Sequence, residues 1–391
     1  MLKNVIITVT LIIPIIGFYS WRAWYTSSPA EFLPLPEKFP TFEVRRLPEN
    51  PIIHNELDPV LVKETRKNGY ININGPCLIR VPEWVSNPLG KYYLYFSHHR
   101  GSNIRMAYAD ELSGPWTIYQ PGVLDLENSY FVLEAPRVST FDTIRGLFTR
   151  LSSTEFWTLL RVSRDLSQAE EERIKKGEKG RGVLQPYIAN PDVYVDHKAQ
   201  EIRMYFHGLL EDATQFSRVA VSTDGINFTA LPKLLAAPYF RVFKLRGLYY
   251  GIAVTGLLYR SPDGLQGFEV RPKPLASVNM RHVSFWLKGD ILYLFWTRVG
   301  DAPEKILCSK VNMFSNDWSH WKMTEPVEIL RPELAWEGAG GSIEPSLRGE
   351  ATKPVNQLRD PYIFHDEDNT YLLYSASGEQ SIGIAELSMI N

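Results

Sequence analysis

Polar and charged residues stand at the start of five similar segments of this 391-residue sequence. They are Asn74, Asn190 with Asp192, Arg241, Arg281 with His282, and Arg359 with Asp360. Carboxylates can serve as general bases, and arginine forks bind carboxylates or other anions. Guanidinium groups need such partners when they are buried, because an unpaired charge is costly to remove from water. These residue types predict a polar pocket if the fold brings the five segment starts together.

Each of the five segments has the pattern of a β-hairpin. An apolar strand is followed by a charged or glycine-containing turn and then by a strand rich in Tyr and Phe, which is typical of half-buried antiparallel strands. The segments begin at Asn74, Asn190, Ala237, Arg281 and Arg359. Third strands follow three of them, and "GPWTIY" and "GINFTAL" have the character of outer fourth strands. The repeat predicts an all-β, five-bladed β-propeller, because each sheet can bury its faces only against its neighbours.

In a propeller the innermost strand of each blade lines the central channel. We therefore expect the substrate-binding residues to be Asn74, Asn190, Arg241, Arg281, His282 and Arg359. Plainer interpretations exist for some members of the set. Asp360 stands before a proline and can start a turn, Asp192 can bond the amides of its own turn, and His282 can be a satisfied buried histidine.

Composition narrows the range of partners. A net charge of −2 argues against the broad basic face that nucleic-acid binding needs. Cys77 and Cys308 fall in the first and fourth units, so neither a disulfide nor a zinc site is expected, and both are interpreted as small buried hydrophobes. We expect no cofactor, since His282 and its neighbours could hold Ca²⁺ only through water or further oxygen ligands. A monomer is expected.

The N-terminus predicts a membrane anchor or signal segment over residues 1–25. Lys3 precedes an apolar run over residues 5–19, and Trp21 and Trp24 suit a membrane interface better than a cleavage site. An uncleaved anchor is favoured over a cleaved signal, and in both cases the propeller would be exported. The proline-rich residues 26–50 are interpreted as a linker, and residues 51–391 as the propeller. A strand within about residues 41–55 is expected to complete the last blade and close the ring.

Residues 119–188 interrupt the regular repeat with a charged, helix-prone insertion. The simpler interpretation is a solvated helix or a flexible excursion, because charge runs usually face water. The alternative is a segment that lies over one mouth of the propeller and shapes a pocket there.

The blade pattern "YYLYFS" followed by "AYA" and "GPW" resembles the five-bladed fold of family 43 glycoside hydrolases over roughly residues 50–388. The resemblance implies a carboxylate before the first-blade proline that acts as general base. It also implies a carboxylate in the second blade that orients the base, and a glutamate in the third blade that acts as general acid. Gly75, Asn190 and Ala237 stand at those positions, so the family's catalytic set is absent from its expected places. The runs "YFHG", "GDAPE" and "RDP" resemble an uncharacterised branch more closely.

Glycoside hydrolysis generally uses two carboxyl groups. The candidates are Asp360 as base, Asp192 as its orienting partner and Glu344, in a glycine-rich loop, as acid. Glu344 and Glu134 can equally be exposed loop carboxylates. We predict a glycoside hydrolase-like enzyme acting on a carbohydrate. The alternatives are a catalytically inactive sugar-binding propeller and an interaction module that uses the insertion.

The charge of the glycan is a further expectation. Arg241, Arg281 and Arg359 outnumber the two aspartates of the inner strands, which predicts a spare guanidinium and hence an acidic glycan. In the "GDAPE" run, Asp301 and Glu304 are expected to shape a turn.

Overall fold

A computed structural model describes residues 32–138, 143, 145–146, 148, 150–175, 185–276 and 279–390. It contains five antiparallel sheets, each with its first strand at the centre and later strands farther out. Blade one consists of β3 (Asn74–Arg80), β4 (Tyr92–Ser97), β5 (Asn103–Ala109) and β6 (Thr117–Asp125). Blade two consists of β7 (Ile188–Asp196), β8 (Glu201–Leu209), β9 (Gln215–Ser222) and β10 (Thr229–Ala230). The predicted outer strands in "GPWTIY" and "GINFTAL" are confirmed as parts of β6 and β10.

The remaining blades repeat this order. Blade three consists of β11 (Arg241–Leu245), β12 (Leu248–Ala253), β13 (Leu257–Ser261) and β14 (Glu269–Val270). Blade four consists of β15 (Met280–Lys288), β16 (Ile291–Arg298), β17 (Ile306–Asn312) and β18 (Val327–Leu330). Blade five consists of β19 (Arg359–Asp366), β20 (Asn369–Ala376) and β21 (Ser381–Ile390), completed by β1 (Thr41–Arg46) and β2 (Ile53–His54). The all-β, five-bladed propeller is therefore confirmed.

The ring is closed by the N-terminal strand. β1 runs antiparallel to β21, from Thr41 opposite Ile390 to Arg46 opposite Ala385. The expectation that a strand near residues 41–55 completes the last blade is confirmed. The boundary of the expected linker at residue 50 is consequently wrong, because residues 41–46 alternate in exposure as an edge strand does and the prolines lie outside them.

Five clusters of buried apolar side chains fill the five interfaces between blades. Blades one and two share one cluster, two and three a second, three and four a third, four and five a fourth, and five and one the last. Aromatic rings meet edge to face within them, as Tyr95 does with Phe228 at 6.0 Å between ring centroids. Cys77 and Cys308 are buried free thiols in β3 and β17. Each blade is thus held by its two neighbours.

Bulges bend four of the five inner strands near the same mouth of the channel, in β3, β7, β15 and β19. Within three of these bulges Gly75, Asn190 and Asp360 have positive φ angles, and so does Tyr239 just before β11, the inner strand without a bulge. A bulge re-aims side chains and ends regular pairing. At Gly75 a Cβ would come within 2.6 Å of Asn190 Oδ1, so a side chain does not fit there.

The insertion forms a helix across this mouth. Helix α1 (Pro59–Asn68) precedes blade one, and α2 (Ser153–Lys175) lies between blades one and two. Near its start Thr154 donates to Pro272 O at 2.7 Å, and near its end Arg173 donates to Arg348 O at 2.8 Å. The alternative in which the insertion covers the mouth is the observed one. Its expected start at residue 119 is wrong, because β6 continues to Asp125 past Pro121 and Gly122.

Five short 3₁₀ helices complete the described elements. They are Asn55–Leu57, Leu126–Asn128, Val254–Gly256, Trp318–His320 and Ala335–Glu337. The expected anchor or signal over residues 1–25 lies outside the described residues. Among the helices that the structure does describe, none is long and apolar enough to span a membrane.

Two neighbouring arginines of β1 test ring closure. Arg46 bonds the fully buried Glu337 through Nε at 2.7 Å and Nη2 at 3.0 Å, whereas Arg45 pairs with Glu386 at the surface. Arg46→Met leaves a buried carboxylate without its cation and should cost about 3 kcal/mol of unfolding free energy. Arg45→Met should leave the urea unfolding midpoint nearly unchanged. Equal effects of the two substitutions would contradict the closure of the ring through Arg46.

Candidate functional site

A cleft with an empty volume of about 970 Å³ opens at the channel mouth beneath α2. Its charged and ionisable lining consists of His99, Arg100, Arg281, His282, Arg348, Glu350 and Glu379. Tyr187 and Tyr239 add aromatic surface. Of the residues predicted from the sequence, only Arg281 and His282 line this cleft directly.

Asp360 reaches the cleft through His282. Its side chain is fully buried, and Oδ2 accepts from Ser375 Oγ at 3.0 Å and from the Gly75 amide at 3.3 Å. Oδ1 contacts His282 Nδ1. His282 lines the cleft, so Asp360 is placed to orient it. Burial, with Arg281 nearby, holds the pKa of His282 well below its usual range, so the ring is neutral in the folded protein.

A second imidazole–carboxylate pair lines the cleft. His99 Nδ1 lies 2.9 Å from Glu379 Oε2, and Arg359 Nη1 donates to Glu379 Oε1 at 2.8 Å. Burial by itself would raise the pKa of Glu379, but His99 and Arg359 outweigh it and hold that pKa well below its usual range. Glu379 is therefore an ionised partner for His99. Asn74 lies behind this pair, with Nδ2 2.7 Å from His99 Nδ1, and is fully buried.

Glu350 is held by two donors at the rim. Arg100 Nη2 donates to Oε1 at 2.9 Å, and the Tyr70 hydroxyl donates to Oε2 at 2.7 Å. Burial and the adjacent Glu350 carboxylate raise the pKa of Tyr70, so the phenol stays protonated. Both carboxylates that line the cleft are thus engaged by the protein's own cations or hydroxyls.

Glu304 joins two of the predicted arginines. It is fully buried, and Arg281 forms a fork with it through Nε at 2.7 Å and Nη2 at 3.2 Å. Arg359 Nε lies 3.4 Å from the same carboxylate. Burial alone would raise the pKa of Glu304, but the two guanidinium groups outweigh it and lower that pKa. The expectation that Glu304 shapes a turn is wrong, because its oxygens face these inner-strand cations.

Asp192 pairs with Arg241 below the cleft. Asp192 Oδ1 accepts from Arg241 at 3.2 Å, Oδ2 accepts from the Val242 amide at 2.8 Å, and the guanidinium lies over the Tyr362 ring. Burial raises the pKa of Asp192, while Arg241 works against that shift. Neither side chain lines the cleft. Asn190 is also buried, and its backbone N–H donates to Ser97 Oγ at 3.1 Å.

The premise of a spare guanidinium among the inner-strand arginines is wrong. Arg241 has Asp192, Arg281 has Glu304, and Arg359 has Glu379. Glu304 and Glu379 come from segments outside the inner strands, so a count of the carboxylates on the inner strands alone misses them.

Glu344 lies elsewhere. It is exposed in the loop before β19 and lines a neighbouring cavity together with Arg173 and Arg359, rather than the cleft. Glu134 is exposed as well. Asp301 is partly buried, and burial raises its pKa.

The sequence analysis did not identify His99, Arg100, Tyr239, Glu350 or Glu379. His99 and Glu379 occupy the same place in two blades, namely the turn between the second and third strands. The repeat itself could have pointed to these turns, since equivalent turns of a propeller meet at one mouth. Glu350 lies in the long loop before β19, which is not part of the blade repeat, so the repeat could not point to it. Among the described residues no group of three or more His, Cys, Asp or Glu side chains could hold a metal ion.

His207 lies just below the cleft floor. Its ring is fully buried between Tyr187 and Tyr239, with centroids 5.7 and 4.5 Å away. Neither ring nitrogen has a hydrogen-bond partner among the described residues. Burial lowers the pKa of His207 to about 3, so the ring is neutral in the folded protein.

A comparison with curated proteins finds a relative of similar length. "Uncharacterized protein R118" of Acanthamoeba polyphaga mimivirus is 33% identical over 369 residues, which cover 88% of this chain and 90% of the viral protein. No family model matches the chain.

Solved structures of similar fold come from glycoside hydrolases. A glycosyl hydrolase from Bacteroides ovatus superposes with a TM-score of 0.53 at 11% identity, over 91% of this chain and 96% of that protein. A structure from the GH130 family, whose mannoside phosphorylases include glycoside hydrolases that target β-1,2-mannosidic linkages in Candida mannan, gives 0.52 at 12% identity, over 91% and 96%. The resemblance to glycoside hydrolase propellers is therefore confirmed at the level of the fold.

Protonation of His207 should appear in the pH dependence of stability. An unfolded histidine takes up its proton near pH 6.5 and the folded one only near pH 3, so stability falls as the pH drops below about 6.5. Relative to pH 7, this residue should remove about 2 kcal/mol by pH 5. His207→Phe keeps an aromatic ring, and its unfolding free energy should lose that part of the slope. His320→Phe, a substitution of an exposed histidine, should retain the wild-type dependence of unfolding free energy on pH. If His207→Phe shows the same pH dependence as the wild type, His207 is not neutral in the folded protein.

Proposed function

We propose that this chain, which belongs to the family of the uncharacterised mimivirus protein, is a glycoside hydrolase-like enzyme whose cleft binds a carbohydrate. The observation that carries the proposal is the Asp360–His282 pair at the cleft floor. A buried carboxylate on Nδ1 leaves Nε2 as the ring nitrogen that can exchange a proton with a ligand. Asp360 fixes the ring and stabilises the imidazolium that forms.

His282 then acts as general base on a water molecule that attacks the anomeric carbon. The proton donor to the leaving oxygen is His99, whose Nδ1 lies 2.9 Å from the ionised Glu379. In this scheme two imidazole–carboxylate pairs perform the tasks that two carboxyl groups perform in most glycosidases. Arg281, forked onto Glu304, contributes a fixed wall rather than a mobile cation.

The three catalytic residues predicted from the sequence differ in their position relative to the cleft and therefore in the role each can have. Asp360, predicted as the base itself, becomes the carboxylate that orients the base His282. Asp192 remains a candidate orienting group, although its nearest partner is Arg241. Glu344 remains a candidate acid only for a ligand that extends into the neighbouring cavity.

The charge balance favours a neutral glycan over the acidic one expected from the sequence. Arg281 is matched by Glu304, and Arg100 is matched by Glu350. An anionic sugar would have to compete with these carboxylates for the same donors. Binding of matched neutral and acidic oligosaccharides at two ionic strengths distinguishes the two ligand classes.

A catalytically silent sugar-binding propeller is the second candidate. It is favoured by the engagement of both cleft carboxylates, since Glu350 already accepts from Arg100 and Glu379 is held ionised. A hydrolysis screen over plant and bacterial polysaccharides, with β-1,2-mannosides included because of the structural neighbour, separates the candidates. Binding without any product would favour the silent propeller.

Asp360→Asn provides the direct test of the reactive pair. An asparagine oxygen can still accept from Ser375 and the Gly75 amide, so the melting temperature should change little. The charge beside His282 is lost, and kcat should fall by about a hundredfold or more, the usual scale for a disabled acid–base group. Circular dichroism and a reducing-sugar assay measure the two properties.

Asp192→Asn is the matched control in the layer below. If Asp192 serves the ion pair with Arg241, its loss should lower the melting temperature while the folded enzyme keeps its kcat within a few-fold. A loss of rate equal to that of Asp360→Asn would instead support the orienting role. Wild-type turnover by Asp360→Asn would remove Asp360 from the mechanism, and failure of that variant to fold would make Asp360 structural.

A further inference from the structure

One wall of the cleft is apolar and is supplied by the inserted helix α2. Val162 and Leu166 line the cleft and stand four residues apart, on one face of the helix. Both side chains are only partly buried. Earlier on the same helix, Phe156 and Leu159 are buried in the cluster between blades two and three. The apolar stripe of α2 thus begins in the core, against which Val162 still packs, and continues along the cleft at Leu166.

The helix is fixed at both ends, so this wall belongs to the formed cleft. Glu155 accepts from the buried Tyr259 hydroxyl at 2.8 Å, and Thr154 donates to Pro272 O at 2.7 Å. Arg173 donates to the carbonyls of Arg348 at 2.8 Å and Glu350 at 3.1 Å. Arg348 Nε also lies 3.5 Å from Asp165 of the helix.

Blade three continues the apolar surface. Pro238 and Val254 line the same cleft, beside Tyr239. The groups assigned to catalysis, His99, His282 and their carboxylates, come from blades one, four and five. A ligand that fills the cleft therefore meets hydrogen-bonding groups on one side and hydrocarbon on the other.

We infer that the cleft is built for a glycoside with an apolar aglycone, such as an alkyl or aryl group, which packs against Val162 and Leu166. The inference rests on the proposed function, because it assigns the polar side of the cleft to a sugar. A free oligosaccharide would leave the apolar wall in contact with water or with hydroxyl groups, whereas an alkyl chain would remove it from water. The helix accordingly selects the aglycone and the propeller selects the sugar.

Binding of matched methyl and hexyl glycosides tests the inference. Calorimetric titration of the full chain with both glycosides of glucose, mannose, galactose and xylose should give at least about tenfold tighter binding for the hexyl member of the preferred sugar. Val162→Thr with Leu166→Gln should remove most of this gain while leaving the affinity for the methyl glycoside unchanged. Ile174→Gln, an apolar-to-amide change on the exposed side of the same helix, should preserve the gain.

The outcomes distinguish this inference from the proposed function. Equal affinities for the methyl and hexyl members, or a hexyl gain that survives the double substitution, would overturn the apolar aglycone and leave glycan binding intact. A hexyl sulfobetaine serves as the ligand without sugar. If it binds as well as the hexyl glycosides while no methyl glycoside binds, glycan binding fails and the aglycone assignment fails with it. Absence of binding by every member of the panel would overturn both.

Discussion

The pairing of β1 with β21 is the constraint on which the rest of this propeller depends. Each sheet buries its faces only against two neighbours, and the last blade obtains its outer strand from the start of the chain. Asn50 strengthens the junction, since its side chain accepts from the Ile384 amide at 2.8 Å and donates to the Ile384 carbonyl at 2.7 Å. With the ring closed, inner strands from distant parts of the chain face one channel.

The closed ring gathers charges that are far apart in the sequence and makes them neutralise one another. Arg281 and Arg359 share Glu304, and Arg359 continues to Glu379, which in turn meets His99. Buried charges of this kind are tolerated only as a fully paired set. The pairing limits what the cleft can do, because carboxylates committed to guanidinium groups are poor proton donors. Under the proposed function, proton transfer therefore falls to His99 and His282.

The inserted helix changes the character of the channel mouth. Most of its charged residues face water or the rim, Glu155 is buried against Tyr259, and Val162 and Leu166 face the cleft. Strain in the backbone accompanies this arrangement, since Tyr239 adopts a left-handed conformation that bulky residues rarely take. That conformation sets the Tyr239 ring against both His207 and His282, with centroid distances of 4.5 and 4.3 Å. The cleft floor is therefore a packed stack of rings that links blades two, three and four.

The sequence by itself determined the blades, their number and the strand that closes the ring, because alternating apolar residues and aromatic hairpins are local patterns that repeat. It also pointed to Arg281, His282 and Asp360 as residues near the channel mouth. Only the tertiary structure decided which carboxylate meets which cation, that Asp192 lies below the cleft and Glu344 outside it, and that Glu304 and Glu379 complete the network. The reason is physical: a strand's periodicity depends on nearest neighbours along the chain, whereas an ion pair depends on loops whose paths are set by the packing of all five blades.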